Sequence, residues 1–139
     1  MTSAECQNLA AEPYYPSIAA FESAEIDPAK FNHRAHVYVG WSYLQELPLL
    51  EGMARFTGAL RRLTKKMGAD EKYNETVTWF FLVMIAERLR ESPGLTWAEF
   101  RTANKDLCDN AGSLLRRYYS GARLQSAAAR ELFLLPDRN

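Results

Sequence analysis

Apolar residues recur at intervals of three and four along almost the whole chain after Pro16, and no run alternates apolar with polar residues. Such spacing gathers apolar side chains on one face of a helix and offers no pleated surface for a sheet. The chain is therefore expected to be all-α, a single compact helical bundle of about six helices joined by short connections. At 139 residues it is long enough to enclose one core. Residues 1–13 lack the periodicity, so they read as a flexible N-terminal arm preceding a single helical domain over 14–139.

Local signals place the helices. A short one is expected near Ser17–Ala24, before the Asp27-Pro28 turn. Asn32 is a good N-cap and Leu47-Pro48 a stop, which predicts a helix from His33 to Glu46 with His33, His36, Val37, Gly40, Leu44 and Leu47 turned inward. The next should close at Gly68, burying Met53, Phe56, Leu60, Leu63 and Met67 and carrying Arg55, Arg61, Arg62, Lys65 and Lys66 on its other side. A fourth, over about 71–90, contains "VTWFFLVMIA", apolar nearly all round, as in a central helix enclosed by others. Thr96 and Glu99 form a capping box that opens a fifth helix, to about Asp109. "SLLRRYYS" and "SAAARELF" predict two more before Pro136.

Charge excludes some functions. Lys plus Arg and Asp plus Glu are 17 each, so no overall field draws the chain to nucleic acid. The basic side of the third helix is expected to be compensated internally by the acidic segments around it. No apolar run is long enough to span a membrane. The N-terminus lacks the basic and apolar regions of a signal peptide, which makes the cytoplasm the expected location. Cys6 and Cys108 are too few and too far apart for a disulfide framework or thiolate metal site. Glycine-rich phosphate loops and Gly-x-Ser-x-Gly elbows are absent. Trp41, Trp79 and Trp97 fit helix core.

The chemistry concentrates in "FNHRAHV", which holds the only two histidines, His33 and His36. Three residues apart on a helix, they share a face and could reach one metal ion or one small ligand. At the helix start the macrodipole disfavours imidazolium, and a neutral ring is what a ligand or general base needs. The alternative is packing, each ring bonded to a backbone carbonyl. The second element is "YNETVTW". Glu75 there either faces inward and must be paired, or complements the helix N-terminus half in water. Tyr73, Asn74 and Thr78 are close enough to share its wall. In "LLRRYYS", Arg117 could clamp an anionic substrate beside Tyr118, or else lie on the surface with its stem over apolar neighbours.

From about Phe21 to Asp137 these motifs, with the C-terminal "YYSGARLQSAAARELFLLPD", resemble a largely uncharacterised family of small bacterial all-helical proteins. That family carries an aromatic-x-His-x-x-His-(Leu/Val) motif, a Tyr-His-Glu-Thr-(Ile/Val)-Thr motif and a C-terminal Tyr-Ser…Ala-Arg…Pro-Asp segment. The resemblance implies a site at His33, His36 and Glu75. Asn74 departs from it, standing where the family has histidine, so two imidazoles and one carboxylate remain. Three protein ligands and a water would still make a catalytic centre for a divalent Zn, Fe or Mn ion.

Two readings follow. One is a small soluble enzyme, metal-dependent or acid–base, acting on a small molecule at His33, His36 and Glu75 with Tyr73, Asn74, Thr78, Arg117 and Tyr118 holding substrate. The other is a non-catalytic ligand-binding or protein-interaction module with structural histidines. Neither calls on nucleic acid or membrane, and a homodimer stays open. Geometry separates them: an enzyme needs the two rings and Glu75 to converge on a wet cleft, whereas packing disperses the rings onto backbone carbonyls.

Overall fold

The computed structural model describes residues 14–138; the expected arm over 1–13 lies outside them, as does Cys6. The described residues are all-helical, with no strand. Their elements are α1 (Ile18–Glu22), α2 (His33–Glu46), α3 (Leu49–Lys66), a 3₁₀ turn (Asp70–Lys72), α4 (Glu75–Glu91), α5 (Trp97–Ala103), α6 (Lys105–Asp109), α7 (Ala111–Arg116), α8 (Gly121–Gln125) and α9 (Ala127–Glu131).

Caps set most of these ends. The side chains of Ser17, Asn32, Asn74, Ser120 and Ser126 each accept a backbone N–H from the first turn that follows, and Thr96 and Glu99 complete the expected capping box. Gly68 takes φ +67° just beyond α3, where a side chain would strain.

Among the described residues nine α-helices stand in place of the expected six or so, because polar residues divide the later third of the chain. The long fifth helix is cut at Asn104, whose own amide turns back to donate to Phe100 O at 2.8 Å and accept from Arg88 at 2.8 Å. The fourth helix starts at Glu75 rather than 71, because Tyr73 is extended and Asn74 caps.

Two hydrophobic clusters meet along α2 and α4. The first joins Phe21 of α1, Val39 and Tyr43 of α2, Phe56, Leu60 and Leu63 of α3, and Leu82 of α4. The second joins Val37 of α2, Phe80 and Ile85 of α4, Phe100, Leu107, Leu114 and Tyr119. The inward face of α2 is thus two faces, one carrying Ala35, Val39 and Tyr43, the other Val37 and Gly40. His33, His36, Leu44 and Leu47, expected on a single buried stripe, are only half-buried. At Gly40 a Cβ would lie 3.1 Å from both Ile85 Cδ1 and Leu82 Cδ2, so glycine permits the close approach of α2 to α4. On α3 the expected stripe is buried except for Met67, which is 44% exposed.

Helix α4 packs on α2, α3, α6 and α9. Enclosure on every side is not met, since Val83 is 41% exposed.

The C-terminal segment closes on itself and is fastened to α4. Tyr119 Oη donates to Leu134 O at 2.7 Å, and the Asp137 carboxylate accepts from Ser120 N and Oγ at 2.8 and 2.7 Å. The fully buried Thr76 hydroxyl lies 2.6 Å from Leu132 O and 2.8 Å from Ala129 O, and accepts the Leu134 N–H at 3.1 Å. Asn74 Nδ2 donates to Leu124 O at 2.8 Å, and Trp79 stacks on Phe133.

Candidate functional site

A cavity of about 430 Å³ opens between α2, α3 and α4, at the seam of the two clusters. Phe31, Phe56, Leu60, Val77, Phe81 and Leu82 make it largely apolar, and His33, His36, Tyr73, Asn74 and Thr78 also line it. Five of the expected site residues therefore share one space.

The two rings satisfy part of each sequence reading. His33 Nε2–H donates to Leu107 O at 2.9 Å, tying the start of α2 to α6, and Arg34 reinforces that tie by reaching Asp109 Oδ1 at 2.9 Å. His36 Nδ1–H donates to Asn32 O at 2.9 Å, while its ring stacks on Phe31 with centroids 4.0 Å apart. Those bonds fix the neutral tautomers, leaving His33 Nδ1 and His36 Nε2 as bare acceptors. Each ring is bonded to backbone, as packing requires. Yet both line one cavity, as a site requires.

Burial holds both rings neutral. It pushes the His36 pKa down to about 4, against the raising effect of the bond to Asn32 O and with a smaller push from His33. His33 is also lowered by burial, opposed by the Leu107 carbonyl and by Asp109.

The rest of the proposed set parts company. Glu75 is absent from the cavity wall; its carboxylate accepts the Tyr73 hydroxyl at the start of α4, where a negative charge suits the helix end. Burial first, and then this bond, raise the Tyr73 pKa well above the ordinary phenol value. Asn74 has both amide atoms engaged, Oδ1 with Val77 N and Nδ2 with Leu124 O. Thr78 Oγ1 donates to Asn74 O at 2.8 Å. Arg117 is exposed at the end of α7, and Tyr118 packs on Phe80 with centroids 5.3 Å apart. Neither lines the cavity.

Among the described residues no group of three His, Cys, Asp or Glu side chains is placed to hold a metal ion. Two imidazoles fall short of the three protein ligands of a catalytic Zn²⁺ site, and Asn74 is occupied elsewhere. The donors in this cavity do not fit a Zn, Fe or Mn centre. The Cys108 thiol is buried and pushed up to about 12, mainly by that burial, so it stays protonated and unreactive. No helix among the described residues is long and apolar enough to cross a membrane.

What sequence reasoning missed is the α3 wall, with Phe56, Leu60, Leu63 and Thr64 opposite the histidines. A helix read alone shows which face is buried but not that the burial is incomplete. Compared with protein-family models, curated proteins and solved structures, the chain matches none of them.

Proposed function

We propose that the chain binds a small, largely apolar molecule bearing a hydroxyl or N–H donor in the cavity between α2, α3 and α4. The observation that carries this reading is a pair of neutral imidazoles, each with one unprotonated nitrogen, in the wall of a largely apolar space of about 430 Å³. That size and lining suit a small ligand, with a few polar groups to orient it. Binding is favoured over acid–base catalysis because an imidazole held near 4 is a weak base at neutral pH. Glu75, the partner such catalysis would need, is engaged with Tyr73 away from the cavity wall.

The test titrates the protein calorimetrically with naphthol, an apolar body carrying one O–H, and with methoxynaphthalene, which lacks the donor. Saturable naphthol binding is expected, with methoxynaphthalene weaker by about fivefold, the effect of one hydrogen bond. Val77→Phe, which puts a ring into the cavity, should abolish binding of both. Equal affinity for the two compounds would remove the histidine acceptors from the reading. Failure of both to bind, or binding untouched by Val77→Phe, would remove the cavity itself.

A further inference from the structure

Beside the apolar cavity lies a second hollow of about 550 Å³, and Thr64 and Tyr73 line both. The outer hollow is charged: Arg61 and Lys65 of α3 and Arg130 of α9 face Asp70 and Glu71 of the 3₁₀ turn and Glu131 of α9. None of these six belongs to an ion pair among the described residues, although four other pairs form elsewhere. Arg130 Nη1 donates to the Glu71 carbonyl at 3.5 Å and Arg61 lies over the Tyr73 ring, but no carboxylate neutralises any of the three cations.

Two details give the hollow a preferred sign. Arg61 sits 4.9 Å above the Tyr73 ring, which keeps a cation directly at the junction of the two spaces. Lys72 lines the apolar cavity itself and, among the described residues, is the one charged residue in a wall otherwise apolar or neutral. The acidic residues lie on the outer side alone. The inner space is thus bordered by a cation and no carboxylate, while Arg61 holds a second cation against the Tyr73 ring that both spaces share.

Resting on the ligand-binding reading above, we infer that the ligand is a single-chain amphiphile that carries an anionic head in addition to the hydroxyl or N–H donor facing the imidazoles. Its apolar body fills the inner cavity, and its carboxylate, sulfate or phosphate crosses between Thr64 and Tyr73 to meet Arg61, Lys65 and Lys72. This class unites two adjoining spaces of opposite character that a purely apolar ligand would leave half used. Arg61 and Lys65 are one turn apart on α3 and border the same hollow, so both cations can serve one head.

Three compounds with the same ten-carbon chain separate head from body: decanoate, decanol and decylammonium, each titrated calorimetrically at low salt. Decanoate is expected to bind about fivefold or more tighter than decanol, with decylammonium weakest, and added salt should erode the advantage. In an Arg61→Gln, Lys65→Gln double variant the decanoate advantage should shrink to what Lys72 alone supplies, and adding Lys72→Gln should abolish it, while decanol affinity is kept. Both residues are on the exposed side of α3, so the fold does not depend on them. Equal binding of decanoate and decanol would overturn the anionic head and leave the apolar cavity standing. Tighter decylammonium would overturn it in favour of Asp70, Glu71 and Glu131. If no compound binds, decanol included, the cavity reading falls with it.

Discussion

A buried imidazole is tolerated while neutral and becomes costly once charged, so His36 should make stability depend on pH in one window. Its folded pKa is about 4, below the ordinary histidine value near 6.5, so the unfolded chain binds the proton more readily between those limits. The contribution is complete above about 6.5, is lost as pH falls toward 4 and then levels off. His33, lowered for the same reason, adds to the slope. Urea unfolding at successive pH values should show stability falling by roughly 2 kcal/mol across this window, and His36→Gln should flatten much of the fall. A variant with the full slope would show that the ring is solvated. The sequence pointed to a neutral ring at His33, through the helix dipole, and not at His36, whose burial depends on packing that local pattern does not show. The acceptors of the two ring protons were not legible either, because Leu107 O and Asn32 O are backbone atoms that carry no side-chain signature.

Elements show the same divide between local and distant causes. The ends of α2 were readable from Asn32 and Leu47-Pro48, and the start of α5 from its capping box, because such signals act within four residues. Asn104 ends α5 through bonds to Phe100 and to Arg88 of α4, and the second partner is sixteen positions away, beyond local pattern. "YNETVTW" has distant partners of the same kind. Tyr73, Asn74 and Thr78, weighed as site residues, line the cavity, while the Asn74 amide also donates to Leu124 O and the Thr76 hydroxyl lies against Ala129 O and Leu132 O. This explains why a middle motif and a C-terminal one stand in the same chain: one fastens the other. Thr76→Val keeps the volume but leaves the buried Leu134 N–H and the facing carbonyls unpaired, at a cost of about 1–3 kcal/mol. Amide exchange should quicken most in residues 127–138, while the α2–α4 contact stays protected. Equal protection in the variant would mean that Trp79 stacking on Phe133 holds the segment unaided.

At the scale of the whole molecule, two cores share α2 and α4, and the cavity lies where they meet. Interiors normally pack to crystal-like density, and an apolar void forfeits the dispersion contacts its lining atoms would otherwise make. Space kept at the seam therefore lowers stability relative to a filled core, and the binding reading proposed above has a ligand fill it. Stability and occupancy should then oppose one another. Val77 lines the void near the start of α4, and Val77→Phe adds apolar volume where room exists, so it should raise stability by about 1 kcal/mol. For a chain of this size that corresponds to a melting temperature higher by roughly 3–5 °C. In calorimetric scans the unliganded variant should melt above the unliganded wild type, whereas saturating naphthol should raise the wild type alone, by mass action on the folded state. If Val77→Phe melts lower, the space closes readily in solution and the added ring overpacks it. A cavity that closes so easily would not wait open for a ligand.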